Sequence, residues 1–367
     1  MQTRAAVLHA VNKPLVVEPV EIAPLQPSDV LVRLRASGLC HTDLEVMRGS
    51  LALPVPIVLG HEGAGVVEAI GSAVTTVKPG DHVVCSWSPN CGHCFYCDLD
   101  QPILCEAVTS AVREGHLPDG GSRLRLRDQK LHHFSAVSSH AEHCVVPEAG
   151  AVPVPAEVPF DRACLLGCAV TTGIAAAVRC ARVEPGSSVM VVGAGAVGLN
   201  VLQGARLCGA RTIIAADVND RALATAPRFG ATHVVDARRE DVAAAVRRLT
   251  SGRGADYIFE AAGNEAALQA SFEAARPGAT VVILGKTGVD ARVSLRFGSL
   301  MGEKQIVRSS YGGARPRVDF PKIARAYLEG TVLLDELISR RLALADINDG
   351  FDEMERGTLT RAVVLFS

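Results

Sequence analysis

A histidine followed directly by a glutamate, His61 and Glu62, stands among small residues at the end of the apolar run 53–59. Burying these two polar side chains without partners would cost about 2–7 kcal/mol each. A bound metal removes that cost for the histidine, because a neutral imidazole is a good zinc ligand. Cys40 upstream and Cys168 downstream could supply thiolate ligands. The pair is a candidate metal site, and whether it binds a metal depends on further ligands and supporting residues elsewhere in the chain.

The residues that follow Cys40 are suited to support such a site. Asp43 could accept a hydrogen bond from a metal-bound histidine and orient its ring. The hydroxyl of Thr42 can both donate and accept, as a proton relay requires. The alternative for Cys40 is a small core residue, which is a common role for a single cysteine.

A cluster of four cysteines is the strongest local signal in the chain. Three of them are spaced C-x2-C-x2-C and the fourth follows eight residues later. Four thiolates so close together match a closed tetrahedral zinc site, which is structural because no position is left open. The loop has no sustained periodicity, so metal binding would supply its folding energy. An iron–sulfur cluster is the alternative to zinc. The four cysteines of this cluster are Cys91, Cys94, Cys97 and Cys105.

A glycine-rich turn between an apolar strand and a helix predicts a dinucleotide site. Residues 193–198 read G-x-G-x-x-G after the apolar run 188–192. Such glycines permit a tight turn and close approach of a pyrophosphate at the helix N-terminus. Asp217, nineteen residues after the last glycine, could accept from ribose hydroxyls and would repel a 2′-phosphate, which favours NAD over NADP. The turn residues singled out are Gly193, Gly195, Val197 and Gly198.

The elements that position these residues fall into two patterns. Residues 1 to about 85 read as short strands broken by prolines, and 29–36 alternates with the period of a half-buried strand. This predicts a small, partly open β-barrel. From residue 188 onward, apolar strands alternate with helices, which predicts a doubly wound parallel sheet, an α/β fold. A last strand at 362–366 is expected to return to the first domain.

Composition excludes several other classes of protein. The chain has 367 residues, enough for two domains, and a formal charge of −2, so nothing favours nucleic acid or an anionic membrane. Its densest basic group, 123–130, is expected to be a solvated hairpin face, and His132 and His133 to be ordinary surface or core residues. No signal peptide or membrane-spanning run is found, so a soluble, cytoplasmic protein with reduced cysteines is expected.

Taken together, these features resemble the zinc-dependent alcohol dehydrogenases of the medium-chain dehydrogenase/reductase family. The most specific match is Gly60-His61-Glu62 with Gly65, Gly71 and Val74, and the cysteine cluster and the glycine turn follow in the family's order. The resemblance implies a GroES-like catalytic domain over 1–169 with a structural-zinc lobe at about 91–105, a Rossmann domain over 170–310, and a return over 311–367. It also implies two zinc ions per chain and NAD.

The resemblance assigns roles to individual residues. Cys40, His61 and Cys168 bind the catalytic zinc and leave a fourth position open, Glu62 lies behind the metal, and Asp43 holds His61. Zinc acts as a Lewis acid on the alcohol oxygen, and a hydride passes to the nicotinamide. The proton leaves through Thr42 and the nicotinamide ribose, but Glu45 stands where many relatives have the histidine that ends the relay, so either Glu45 or water is expected to take that role. The cofactor contacts are His41 and Arg361 at the pyrophosphate and Thr172 at the nicotinamide.

The substrate pocket is carried over from matching positions. It predicts a primary alcohol, aromatic, allylic or medium-chain aliphatic, because Trp87 would narrow the pocket and Phe134 could face an aromatic group. Lys286 either points to solvent or attracts an acidic substrate. The pocket positions are Leu51, Trp87, Ser110, Phe134, Lys286 and, from a second copy of the chain, Met301.

Two alternatives are kept beside this reading. The chain is also similar to the glutathione-dependent formaldehyde dehydrogenase branch, which shares the segment 118–120, but that branch has an arginine where this chain has Thr109. It is therefore ranked second. A catalytically silent dinucleotide-binding or structural protein is the alternative from another class. The long segment between lobe and barrel resembles that of dimeric rather than tetrameric members of the family, which implies a homodimer, with a homotetramer as the alternative.

Overall fold

The structure is a computed structural model that describes residues 1–288 and 290–367. The chain divides into two compact units, one formed by Met1–Cys168 with Arg315–Ser367 and the other by Ala169–Ala314. The sequence-based division placed these changes after residues 169 and 310. Among the described residues no single helix is both long and apolar enough to cross a membrane, and the short helices Phe160–Gly167 and Ala169–Cys180 reach that length and hydropathy only as a pair.

The first unit is built from two sheets of mainly antiparallel strands, with the strand order β8-β7-β2-β1-β4-β9 in one and β11-β6-β5-β3-β19-β18 in the other, where β10 also pairs with β3. Within them β4 pairs parallel with β9, and β18 pairs parallel with β19. The two sheets form the barrel-like arrangement expected from the short strands. Strands are numbered along the whole chain: β1 Gln2–Leu8, β2 Val16–Ile22, β3 Asp29–Gly38, β4 Ile57–Val58, β5 Glu62–Ile70, β6 His82–Cys85, β7 Leu124–Leu126, β8 Gln129–Lys130, β9 His132–His133, β10 His143–Pro147, β11 Ala151–Pro153, β18 Ile338–Ala343 and β19 Arg361–Leu365.

Strand β3 is the central element of the barrel. It pairs antiparallel with β5, β10 and β19, so the last strand of the chain lies beside it. Its alternation predicts one buried face, but the structure buries all of it except Arg33 and Arg35. The reason is that Val30, Val32 and Leu34 pack into one core cluster while Leu31 packs into another. Cys40 stands two residues after the end of this strand.

The second unit holds a six-stranded parallel sheet with the strand order β14-β13-β12-β15-β16-β17. From the central strand β12 the chain first adds β13 and β14 on one side and then β15, β16 and β17 on the other. This is the doubly wound arrangement that places a cofactor at the carboxyl ends of the strands. Its strands are β12 Ser188–Val192, β13 Thr212–Asp217, β14 His233–Asp236, β15 Ala255–Glu260, β16 Ala275–Ile283 and β17 Gln305–Arg308.

The α-helices range from 4 to 13 residues, and the longest in each unit are α10 in the first and α6 in the second. Helix α6 begins at Ala196, inside the glycine-rich turn, and Gly195 is its N-terminal capping residue. The helices are α1 His41–Met47, α2 Phe95–Asp98, α3 Glu106–Arg113, α4 Phe160–Ala163, α5 Ala169–Ala175, α6 Ala196–Leu207, α7 Asp220–Thr225, α8 Val242–Leu249, α9 Glu265–Ala274, α10 Pro316–Leu328 and α11 Ile347–Glu355.

The expectation of a solvated basic face at 123–130 is wrong for Arg123, which is only 5% exposed. Its Nε donates to Asp29 Oδ2 at 2.5 Å and its Nη2 to Asp29 Oδ1 at 3.2 Å. Its backbone N–H donates to Nε2 of His133 at 3.1 Å. Paired with a carboxylate in this way, a guanidinium can be buried, and the partner lies 94 residues away in sequence.

His133 should make the fold sensitive to acid. The imidazole is fully buried, and burial together with the Arg123 charge lowers its pKa to about 3. The unfolded chain binds this proton near pH 6.5, so between pH 6.5 and 3 the unfolded state holds more protons and the free energy of unfolding falls as pH falls. From pH 7 to 5 we expect this residue to account for a loss of about 2 kcal/mol.

Urea unfolding of the wild type and of His133→Gln at both pH values measures that contribution. The variant starts from a lower stability at pH 7 and should lose about 2 kcal/mol less on acidification, since glutamine does not titrate. Equal losses in the two proteins would show that His133 takes up no proton on unfolding.

Candidate active site and metal centres

The first candidate site is formed by four side chains of the first unit. Cys40 is the N-terminal capping residue of α1, and His61 and Glu62 stand where β5 begins. Cys168 follows a 3-10 turn over Cys164–Gly167. One donor atom from each of the four lies within 4.8 Å of the others. The structure therefore brings together Cys40, His61 and Cys168, which the sequence analysis assigns as ligands of the catalytic metal, and places Glu62 beside them.

Asp43 joins the two loops that carry Cys40 and His61. The carboxylate is fully buried; its Oδ2 accepts from the backbone N–H of Cys40 at 3.1 Å and its Oδ1 from that of Gly60 at 2.9 Å. Oδ1 also lies 3.3 Å from Nδ1 of His61. Since a carboxylate only accepts, the proton of His61 belongs on Nδ1, which leaves Nε2 free to bind a metal.

Glu62 and Arg361 form a buried ion pair at the back of the site. Arg361 Nη2 donates to Glu62 Oε1 at 2.8 Å, and Nη1 donates to the carbonyl of Leu39 at 2.5 Å. The other carboxylate oxygen, Oε2, is buried with no hydrogen-bond partner in the described part of the chain. Burial raises the pKa of Glu62 to about 7 although the Arg361 charge opposes the shift. A Cβ at Gly38 would lie 2.2 Å from Oε2, so a glycine is needed there.

The charge balance of this cluster fits a divalent cation. The thiol of Cys168 donates to Cys40, and this hydrogen bond holds the pKa of Cys40 well below its usual value and that of Cys168 well above it. Burial lowers the pKa of His61, but Asp43 and Cys40 outweigh it and raise the pKa to about 10. The Cys40 thiolate and the carboxylates of Asp43 and Glu62 thus face two positive partners, the guanidinium of Arg361 and the imidazole of His61. Two sulfurs and one imidazole nitrogen are the donors that zinc prefers.

Helix α1 places three further predicted residues after Cys40. The Thr42 hydroxyl lies 3.8 Å from the Cys40 sulfur, close to the donor cluster. Thr42 and Glu45 are both half-buried and stand three positions apart on the helix, so they lie on one face. His41 is exposed at the first position of the same helix. These positions suit a short path for a proton from the site toward the surface.

The four lobe cysteines converge as a second candidate site. Their donor atoms all lie within 4.8 Å of one another, with the Cys94 sulfur 3.5 Å from that of Cys97 and 3.9 Å from that of Cys105. Four thiolates around a single zinc at about 2.3 Å stand about 3.8 Å apart. A multi-iron cluster holds its ligands farther apart, so the geometry favours one ion over the iron–sulfur alternative. The backbone N–H of Cys97 helps to lower the pKa of Cys94 to about 6.

In the second unit the glycine-rich turn is shaped for a bound phosphate. Gly193 has φ +92°, and a Cβ at Gly198 would lie 1.8 Å from the Gly193 carbonyl oxygen, so neither position accepts a side chain. A Cβ at Gly195 would meet nothing within 4 Å in the described part of the chain. The turn therefore leaves open space at the N-terminus of α6, where the amide groups and helix dipole favour an anion.

Asp217 closes over this turn at the carboxyl end of β13. Its Oδ2 accepts from the backbone N–H of Ala194 at 2.6 Å. Its Oδ1 accepts from those of Val218 at 2.7 Å and Asn219 at 2.8 Å. A carboxylate held in this position presents a negative charge beside the phosphate cradle, which fits a ribose with free hydroxyls. Val197 is half-buried in the first turn of α6, and Thr172 is half-buried in α5.

The predicted pocket residues are spread over the chain. Phe134 is buried, with its ring edge-to-face against that of His61 at a centroid distance of 5.3 Å. Leu51 and Trp87 are half-buried against core clusters of the first unit, and Ser110 is exposed on α3. Lys286 and Met301, in the second unit, are both exposed. Only Phe134 touches a predicted ligand among the described contacts, so the pocket as a whole stays a prediction.

The sequence analysis missed a group of polar residues behind Asp43. Ser37, Ser139 and His140 are all fully buried, and His140 Nε2 lies 3.8 Å from Asp43 Oδ1. They come from β3 and from a segment about a hundred residues later, so no spacing in the sequence links them. The one available signal is a run of three polar residues, 138–140, that a core position would not be expected to tolerate.

Comparisons with known domain families match both units. Residues 26–156 match the family described as alcohol dehydrogenase GroES-like domain. Residues 196–329 match the family described as zinc-binding dehydrogenase. Together these two matches cover most of the chain, and they include His61, the four lobe cysteines and Asp217.

Several curated proteins are similar over the full length. The chain is 38% identical to an S-(hydroxymethyl)glutathione dehydrogenase of Paracoccus denitrificans, with all of both chains covered. It is also 38% identical to an alcohol dehydrogenase class-3 of Myxine glutinosa, covering 98% of this chain and 97% of that one. These relatives support the glutathione alternative better than the leading expectation of a simple primary alcohol.

Solved structures share the whole fold. An alcohol dehydrogenase zinc-binding domain protein from Burkholderia ambifaria superposes with a TM-score of 0.95 at 35% identity, covering 100% of this chain and 99% of that one. A benzyl alcohol dehydrogenase from Acinetobacter calcoaceticus also gives a TM-score of 0.95, at 31% identity and with both chains fully covered. The barrel and the doubly wound sheet predicted from the sequence are thus confirmed.

Proposed function

This chain belongs to the zinc-dependent alcohol dehydrogenases of the medium-chain dehydrogenase/reductase family, and on that premise we propose that it oxidises S-(hydroxymethyl)glutathione with NAD. The observation that carries the substrate is the full-length 38% identity to S-(hydroxymethyl)glutathione dehydrogenases. This reverses the order expected from Thr109 alone. The oxidation of a primary aromatic alcohol is the second candidate, favoured by Thr109 and by the similarity to a benzyl alcohol dehydrogenase.

The proposed chemistry divides between the bound groups and the chain's own residues. Zinc held by Cys40, His61 and Cys168 supplies Lewis-acid polarisation of the alcohol oxygen, and NAD supplies the hydride acceptor. Asp43 keeps Nε2 of His61 available for binding. Thr42 accepts the proton that the alcohol loses, and Glu45, on the same face of α1, passes it toward solvent.

The charges behind the metal have a role of their own. The positive charge of the Arg361 guanidinium neutralises the negative charge of Glu62. This carboxylate can therefore be buried next to the cysteine sulfurs without an unpaired charge. Glu62 Oε2 has no hydrogen-bond partner among the described residues and lies with the donor atoms of the site. We propose that this oxygen is available to bind the metal. Arg361 and His41 stay predictions as pyrophosphate contacts, as does Thr172 at the nicotinamide.

A glutathione substrate needs a cationic anchor for its carboxylates. Thr109 cannot be this anchor, because its side chain carries no charge and its hydroxyl donates to the carbonyl of Cys105 at 2.9 Å. Arg113 stands four positions later on α3, on the same face as Thr109, and its side chain is exposed. In the described structure no ion pair involves Arg113. We propose that this guanidinium takes the anchoring role.

Side-by-side kinetics test the substrate. The zinc-loaded enzyme with NAD should show a kcat/KM for S-(hydroxymethyl)glutathione at least tenfold above those for benzyl alcohol, a medium-chain primary alcohol and cyclohexanol. Arg113→Ala should raise KM for the glutathione adduct about tenfold, the loss of a charge-assisted contact worth about 1.4 kcal/mol, and leave benzyl alcohol unchanged. A lead for benzyl alcohol would instead establish the second candidate.

The carboxylate of Asp217 should set the choice between NAD and NADP. Asp217→Asn removes the charge and puts an amide N–H against the Ala194 N–H. We expect the ratio of kcat/KM for NAD to that for NADP to fall by about 10–100-fold, since the repulsion of a 2′-phosphate and the ribose contact are both lost. The matched control is Asp236→Asn, at the end of the neighbouring strand β14, which should leave the ratio unchanged. An unchanged ratio in Asp217→Asn would remove this role.

We propose a homodimer, with a homotetramer as the alternative. Strand β17 is the last strand of its sheet, so one of its edges is open in the described structure, and Ile306 on it is 49% exposed. Phe297 and Met301 nearby in sequence are exposed at 76% and 60%. Open strand edges with exposed apolar residues pair readily with another chain. Sedimentation velocity distinguishes dimer, tetramer and monomer. A cytoplasmic location stays a prediction.

A further inference from the structure

His140 lies behind the predicted metal ligand, on the far side of Asp43. Its Nε2 faces Asp43 Oδ1 at 3.8 Å, and this oxygen is the one that also faces Nδ1 of His61 at 3.3 Å. Both histidines and the carboxylate are buried. His140 Nε2 has no hydrogen-bond partner among the described residues, so Asp43 is the acceptor it faces. The result is a buried row His61–Asp43–His140.

The Asp43 carboxylate, together with two serines on the other side of the ring, indicates which nitrogen of His140 carries the proton. Ser37 Oγ lies 3.0 Å from His140 Nδ1 and 2.8 Å from Ser139 Oγ. If Nδ1 carried the proton, a lone pair on Nε2 would face the Asp43 carboxylate. With the proton on Nε2, Ser139 donates to Ser37, Ser37 donates to Nδ1, and Nε2–H points at Asp43. Every donor in the row is then directed toward the carboxylate.

The imidazole of His140 is neutral in this setting. Burial lowers its pKa to about 4, although the Asp43 charge opposes the shift. A neutral ring directs its Nε2–H at Asp43 without cancelling the charge of the carboxylate, which therefore remains a full anion toward His61. A protonated His140 would compete with His61 for the same oxygen.

The backbone holds His140 firmly against the loop that carries His61. The His140 N–H donates to the carbonyl of Leu59 at 3.0 Å, and the Ser139 N–H donates to that of Gly60 at 2.9 Å. Gly60 has φ +93°, and a Cβ there would lie 2.5 Å from the His140 nitrogen and 2.6 Å from its Nδ1. Only glycine allows this approach. The ring also meets Phe351 edge-on at a centroid distance of 5.8 Å.

We propose that His140 is a positioning residue for the catalytic metal: by directing its Nε2–H at Asp43, it holds the carboxylate in the place from which it orients His61. The inference rests on the metal site of the proposed function and is independent of the substrate. Partners that orient a metal-bound histidine change metal affinity by about 10–100-fold. His140 acts one contact farther away, so we expect about a threefold to tenfold effect.

Zinc release into a chromogenic chelator tests this on the holoenzyme, with the lobe zinc as an internal control. His140→Phe keeps a ring of similar size but no donor, and one of its two zinc ions should leave about threefold to tenfold faster. His140→Gln, whose amide can donate to Asp43, should restore most of the slow release. The lobe zinc should leave at the wild-type rate in both. His133→Phe replaces another buried histidine, which lies away from Asp43, and should leave both release rates unchanged.

The results separate this inference from the proposed function. Wild-type release from His140→Phe, or equal acceleration of both zinc ions, would overturn the role of His140. A wild-type protein that binds one zinc only would instead overturn the metal site itself. If His140→Phe does not fold, Ser37→Ala serves in its place, because it removes the donor to Nδ1 and frees the ring to turn its lone pair toward Asp43. Faster release of one zinc then supports the role, and unchanged release contradicts it.

Discussion

Cys168→Ser is expected to lower kcat/KM for alcohol oxidation by about four orders of magnitude and to reduce the bound zinc from two ions per chain to one. Cys168 supplies one of two sulfur donors, which lie with His61 within 4.8 Å of one another. A serine hydroxyl has nearly the same size but is a poor zinc ligand. Loss of the Lewis acid removes several kcal/mol of transition-state stabilisation, and about 5.5 kcal/mol corresponds to a factor of 10⁴.

Metal analysis of the purified variant and steady-state kinetics measure both effects. Cys164→Ser is the matched control, since this buried thiol lies four positions earlier and donates to the carbonyl of Asp161 at 3.4 Å, outside the donor cluster. It should keep two zinc ions and an activity near that of the wild type. A Cys168→Ser protein that keeps both ions and its rate would show that Cys168 is not a ligand.

Cys97→Ser is expected to unfold the lobe while the rest of the chain stays folded. The lobe buries little apolar surface of its own, because Phe95, Leu99 and Leu104 are all largely exposed. Its order therefore depends on the metal, and structural zinc contributes about 10–16 kcal/mol in small zinc-folded peptides. The variant should lose one zinc ion and become sensitive to proteolysis between residues 91 and 113, with alcohol oxidation reduced as a secondary effect.

Limited proteolysis followed by mass spectrometry, together with zinc content, checks this expectation. His93→Ser changes a residue of the same loop that is not among the four sulfur donors, and its Nδ1 contacts only the backbone carbonyl of Cys91 among the described hydrogen bonds. This control should keep two zinc ions and resist cleavage. Resistance and full zinc content in Cys97→Ser would contradict a structural metal in the lobe.

Features whose residues are close in sequence could be predicted well. The lobe cysteines stand within one short loop, so their spacing alone predicts one shared metal site. The same holds for the turn at 193–198, where strand, glycines and helix are consecutive and Asp217 ends the next strand. In these places local chain geometry decides the site, and the sequence displays it directly.

Features that depend on long-range pairing could not be predicted in this way. Arg361 and Glu62 are 299 residues apart and meet because β19 lies beside β3. Arg123 looked like a surface charge, since nothing in the sequence connects it to Asp29. His140 was passed over for the same reason. A buried charged or polar residue is identified only by its partner, and the partner is known only from the fold.

The substrate lies between these two cases. Thr109 alone argues against a glutathione adduct, but its position on α3 also brings Arg113 onto the same face, which the sequence-based comparison of single positions did not consider. The full-length relatives shift the balance to the glutathione adduct. The kinetic comparison with Arg113→Ala therefore tests whether the charge that anchors the glutathione adduct has moved from position 109 to Arg113.

The most direct test of the central claim is NADH formation as zinc is returned to the metal-free protein. With NAD and S-(hydroxymethyl)glutathione or benzyl alcohol present, we predict no NADH with the lobe site alone filled, and a steep rise as the second equivalent of zinc binds. Deuterium at the carbinol carbon should appear in the reduced nicotinamide. If two bound zinc ions give no NADH from any of the alcohols, the chain is a silent dinucleotide-binding protein and the account is wrong.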